Sequence, residues 1–148
     1  MTQKQLFRVL NYFIFLERRQ VEIYLSQSAR CLNRHLAEAF HHFAVVEQGH
    51  VDNLTTALEA RGGRVGPVAY LTEGLGTLAG RAFRASGART MLRLNVAIET
   101  KAATDYRRLI ARVDDPQLRN TLISNCLEEE MHAAWMDAFR RGQTYGPE

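Results

Sequence analysis

Residues 47–50 read "EQGH" and residues 129–132 read "EEMH". Both set a histidine three positions after a glutamate, a spacing that puts the two side chains on one face of a helix. A single pair of this kind is common. The surrounding sequence gives these two their meaning. Shifted by 82 residues and laid on itself without a gap, the chain brings Glu17 onto Glu99, Tyr24 onto Tyr106, Ala29 onto Ala111, Arg30 onto Arg112 and Leu36 onto Leu118. The same shift brings Glu47 onto Glu129 and His50 onto His132. Each half is therefore a Glu, a Tyr seven residues later and an E-x-x-H pair thirty residues later.

Apolar residues recurring at three- and four-residue steps predict four long helices. The first covers about 4–30, with Leu10, Phe13, Ile14, Val21 and Tyr24 on its inner face. The second covers about 34–60, with Leu36, Phe40, Phe43, Leu54 and Leu58. The third covers about 88–112, with Leu92, Val96, Ala103, Tyr106 and Ile110. The fourth covers about 116–140, with Leu118, Leu122, Cys126 and Met136. Asn33 suits the N-cap of the second helix. Asp115 and Pro116 suit the N-cap and first position of the fourth.

The turn near residues 30–33 falls halfway between Glu17 and Glu47. The chain thus climbs ~22 Å and returns by the same distance, so both carboxylates arrive at one height on neighbouring antiparallel helices. Glu99 and Glu129 do the same around 113–116. Two helical hairpins then present four carboxylates and two imidazoles at one level of an all-α four-helix bundle, with a long crossover between them. All four Glu lie on apolar faces, in "YFIFLE", "FAVVE", "LNVAIE" and beside Cys126. A buried carboxylate without a partner costs several kcal/mol, and facing carboxylates repel. Two cations answer both problems, held by Glu17, Glu47, His50, Glu99, Glu129 and His132.

The chain carries its own counter-example. Glu38 and His41 also form E-x-x-H, but they lie off the inner stripe, and their partners under the shift are Asn120 and Ile123. Glu38, His35, His41 and His42 are expected at the surface, and Glu22, Glu128 and Glu130 off the inner stripes. Tyr24 and Tyr106, two turns beyond the first Glu of each half, are expected to donate hydrogen bonds to the carboxylates, the other use of such a residue being a plain core aromatic.

Size and composition fit this reading. A chain of 148 residues is expected to form one domain, 1–148. With only three Pro, at 67, 116 and 147, most of it is free to be helical. The net charge of +3 is spread over many helical faces, which fits a solvated basic exterior and no nucleic-acid surface. Cys31 and Cys126 are too few for a disulfide framework and read as small apolar fillers in a reducing compartment, the cytoplasm. The start "MTQKQLFRVL" lacks the pattern of a secretory signal, and no run approaches the ~20 apolar residues of a membrane span.

A Glu from each of two helices plus Glu-x-x-His from each of the other two resembles the ferritin-like di-iron carboxylate superfamily. The resemblance implies two iron ions, or manganese in their place, with Glu17 and His50 serving one and Glu99 and His132 the other. It implies that Glu47 and Glu129 bridge them, and that a pair reduced by an external electron donor reacts with O2 or peroxide. The crossover, "GRVGPVAYLTEGLGTLAGRAF" at 63–83, is similar to the Pro-then-Gly-rich apolar segment of the demethoxyubiquinone hydroxylase family. That likeness implies a monooxygenase with a quinone-like substrate and a short extra helix at about 68–83. Val68, Tyr70, Leu71, Leu75, Leu78 and Phe83 would form its apolar face, flanked by Arg81 and Arg84. Such a helix suits peripheral contact with the inner face of an anionic membrane; its other uses are a lid on the bundle or a homodimer contact. The chain departs from that family where "FIFL" precedes Glu17 and where Asp105 precedes Tyr106. The peroxide-reducing rubrerythrins are the second resemblance, although Ala102 stands where they carry an extra Glu. Ferritin-type iron storage is the third.

Overall fold

A computed structural model describes residues 1–67 and 75–142, with the backbone alone over 75–86. These residues form four helices and no strand: α1 Gln3–Ser28, α2 Arg34–Glu59, α3 Leu75–Ile110 and α4 Pro116–Arg140. Two compact units divide the chain, Met1–Ala82 and Phe83–Glu148. No helix among the described residues is long and apolar enough to cross a membrane.

The first unit is the α1–α2 hairpin. Thr2 caps α1 in a reciprocal box with Gln5, which starts the helix one residue before its expected beginning. The Asn33 side chain accepts from the Leu36 amide at 2.9 Å and starts α2 at the expected residue. Tyr24 of α1 stacks on Phe40 of α2 at 5.8 Å and meets Phe43 edge-on at 5.6 Å. Gly62, at φ 79°, releases the chain from α2. The segment that follows is tied back to α1: Asn11 accepts from the Gly66 amide and donates to the Arg64 carbonyl at 3.2 Å.

The second unit is built on α3 from Phe83 onward and on α4. The helical backbone of α3 breaks at Gly87, where φ 76° and ψ 157° are open essentially to glycine alone. A separate short helix before the third bundle helix was expected at 68–83. The described residues show helical backbone from Leu75 up to this break; 68–74 and the side chains of the expected apolar face lie outside the described residues, apart from Arg84's place on the same helical stretch. Asp115 accepts from the Gln117 and Leu118 amides, and Pro116 opens α4, as expected. Leu92, Ala103, Tyr106, Leu109, Leu118, Leu122, Cys126 and Met136 are buried.

Three expected core residues are only half-buried: Val21, Val96 and Ile110. Their neighbours Gln20, Asn95 and Leu109 take the buried seats. A seam of average period 3.5 can step by three then four residues, or by four then three. Both routes join Glu17 to Tyr24, Leu92 to Glu99 and Tyr106 to Val113. The chain takes the three-then-four route each time, and periodicity alone does not distinguish them.

Candidate metal centre

Among the described residues, the buried seats on the four helices hold ten polar residues: Glu17, Gln20, Gln27, Glu47, His50, Asn95, Glu99, Asn125, Glu129 and His132. All six residues expected from the repeat are among them. In the first unit, α1 supplies Glu17 and α2 supplies Glu47 and His50 one turn apart. His50 Nδ1 lies 3.0 Å from Glu47 Oε2 and 3.8 Å from Glu17 Oε2. One ligand atom from each of the three lies within 4.8 Å of the others. In the second unit, α3 supplies Glu99 and α4 supplies Glu129 and His132. His132 Nδ1 lies 3.8 Å from Glu99 Oε2, and these three residues also offer ligand atoms within 4.8 Å of one another. The repeat in sequence is thus a repeat in space: the two Glu–His pairs related by the 82-residue shift have the same separation.

The donor set suits a divalent cation. Atoms bound ~2.1 Å from one ion lie about 3–4 Å apart, a range that includes the 3.0 and 3.8 Å separations of the first triad and the 3.8 Å separation of the second. Two carboxylates per triad carry a formal charge of −2, which one divalent ion balances. Each triad is almost wholly out of water: Glu47, His50, Glu99 and Glu129 are 0% exposed. Burial of such charge without a counter-ion is strongly unfavourable. Residues set aside from the sequence lie elsewhere. His35, Glu38, His41 and His42 are exposed, and Arg34 pairs with Glu38 at 2.9 Å. Glu22, Glu128 and Glu130 are half-buried, and Glu130 accepts from Arg107 at 2.7 Å.

Both tyrosines are buried. Tyr24 packs against Phe40 and Phe43, whereas the Tyr106 hydroxyl accepts from the Asn125 amide at 3.2 Å. The buried amides Gln20, Gln27, Asn95 and Asn125 were not singled out from sequence. Their signal was a polar residue on a seat of the 3.5-residue seam, legible only after the choice between three-four and four-three steps is made.

A family model for the ferritin-like domain matches residues 10–142, nearly the whole chain. The chain belongs to the ferritin-like domain family, and its fold class is the all-α four-helix bundle expected from the repeat. No curated protein matches the sequence.

Proposed function

We propose that each triad holds one iron ion, and that the protein is a non-haem di-iron oxidoreductase acting on O2 or peroxide. The observation that carries this reading is the equal 3.8 Å separation of Glu17 from His50 and of Glu99 from His132, all four buried. Two like half-sites on a ferritin-like domain suit two like ions. Glu17, Glu47 and His50 would hold one ion, and Glu99, Glu129 and His132 the other. When bound and reduced, the pair supplies the electrons that O2 or peroxide takes up. The chain's own part is to hold six ligands in place, neutralise the ions with four carboxylates, and keep the surroundings dry through Leu10, Ile14, Leu54 and Leu122.

The substrate proposed for the resulting oxidant is quinone-like, which makes the protein similar to the demethoxyubiquinone hydroxylases. A separate electron donor is part of this proposal. Family membership equally suits a second reading, in which iron is bound or stored with no organic substrate. Elemental analysis of protein made in iron-rich medium tests the common core of both. Two ions per chain are expected. A stoichiometry near zero in protein with intact helical circular dichroism would overturn it. Mixing the reduced, loaded protein with O2 or peroxide, with and without a soluble quinone, then separates turnover from storage.

A further inference from the structure

Helix α1 has two apolar faces. The first, with Leu10, Phe13 and Ile14, is buried on the side of Glu17. The second carries Phe7, Tyr12 and Phe15 and lies nearly opposite at ~100° per residue. The outward face of a bundle helix is ordinarily polar. Here it floors a groove of about 660 Å³, within the range of small-molecule sites. Phe7 and Phe15 are half-buried, and Tyr12 is 49% exposed. Phe7 and Phe15 stand ~12 Å apart along the helix, so the apolar floor is elongated. Two amides also line the groove, and both are spent on backbone: Gln3 donates to the Arg61 carbonyl at 3.2 Å, and Asn11 holds Arg64 and Gly66. What remains is charge. Lys4 and Arg8, one turn apart and exposed at the N-terminal end of the floor, make no ion pair among the described residues. No carboxylate is among the described lining residues, and the first turn of α1 has no acidic residue. The positive end of the helix dipole adds to the same field. Arg19, at the other end, is engaged over the Phe15 ring, 5.7 Å from its centroid.

We propose that this groove binds one long-chain carboxylate, with its tail along Phe7, Tyr12 and Phe15 and its head at Lys4 and Arg8. Each part of such a ligand meets its own chemistry. The Arg8 guanidinium matches the two oxygens of a carboxylate with paired N–H donors. The apolar floor favours a ligand that has a tail to take out of water. A concave floor suits a single chain, whereas contact with a bilayer calls for apolar side chains that protrude. The site lies outside both triads and does not rest on the metal reading.

Calorimetric titration of the purified protein with dodecanoate, below its micellar concentration, tests this. One dodecanoate per chain is expected, and octanoate should bind more weakly by about threefold for each CH2 removed. Dodecyltrimethylammonium, with the same tail and the opposite charge, should bind about tenfold more weakly than dodecanoate. Lys4→Glu together with Arg8→Glu should cost dodecanoate at least about tenfold, and Tyr12→Glu should abolish its binding. All three positions are exposed, so the fold should survive these changes. Arg34→Glu, which removes an exposed cation already paired with Glu38, should leave binding unchanged. Dialysis against a chelator should also leave it unchanged; loss on dialysis would put the carboxylate on a bound metal and overturn the proposal. No dodecanoate binding, or binding indifferent to Tyr12→Glu or to the charge of the head group, would overturn it as well. So would binding to phosphatidylglycerol vesicles that Tyr12→Glu abolishes, if dodecanoate itself does not bind, since the face would then be a membrane contact.

Discussion

The Asn125 amide donates to the Tyr106 hydroxyl at 3.2 Å, and both side chains are completely buried. The residues that the 82-residue shift lays on this pair are Phe43 and Tyr24, whose rings meet edge-on at 5.6 Å. Replacing Tyr106 by Phe keeps the volume and deprives a buried amide of an acceptor. Urea denaturation should show a loss of about 1–3 kcal/mol.

His50→Ala and His41→Ala should part company in metal content. His50 is buried 3.0 Å from Glu47, while His41 is exposed one turn beyond the similarly exposed Glu38. Loss of a ligand removes part of the binding energy of one ion. The His50 variant should therefore lose at least one of two ions after dialysis, and the His41 variant neither. Equal occupancy in the two would remove His50 from the site.

The two cysteines should react with thiol reagents at different rates. Cys126 is 4% exposed, and burial, with the Glu130 carboxylate beside it, pushes its thiol above the usual range. A raised value means less thiolate at neutral pH, and the thiolate is the reactive form. Cys31 is only half-buried. At pH 7–8, one equivalent of label should enter quickly at Cys31. The second should enter only on unfolding or at markedly alkaline pH. Mass mapping of the labelled peptides checks the order.

Two glycine-to-alanine changes should move stability in opposite directions. A Cβ at Gly49 meets nothing within 4 Å, and Gly49 lies inside α2, so Gly49→Ala should stabilise by about 0.5–1 kcal/mol. A Cβ at Gly87 also meets nothing within 4 Å, but φ there is +76°. Gly87→Ala should therefore destabilise by about 1–3 kcal/mol through backbone strain alone. Thermal melts of both variants, measured without metal, provide the comparison.

Vesicle binding tests the membrane contact that the sequence of 68–83 suits. Co-sedimentation with anionic vesicles, lost in Leu75→Glu and absent with neutral vesicles, is the expected result. No binding to anionic vesicles would leave 68–83 to its other expected uses, a lid on the bundle or a homodimer contact.

Helix ends were legible wherever a side chain dictated them. Asn33 and the Asp115–Pro116 pair place the starts of α2 and α4 because each satisfies or replaces backbone N–H groups that the helix leaves open. The Thr2–Gln5 box works the same way and passed unnoticed, since exposed polar residues at a chain start look alike until their bonds are seen. The six candidate ligands were legible because the chain states them twice. Gln20 was not, because it occurs once, and because Val21 beside it satisfied the apolar pattern equally well. The break at Gly87 was legible only as a helix start near 88. A lone glycine does not say which sign of φ it will adopt.

The polar seats also act as a keyway between the helices of a hairpin. An all-leucine seam would let α2 slide along α1 by one heptad at little cost. Here a slip by seven residues would carry Glu47 and His50 away from Glu17. Buried polar groups on a helical seam are known to select one alignment at some expense in stability. The hairpin can therefore be seated in only one way, and a metal ion arriving later finds its ligands already in step.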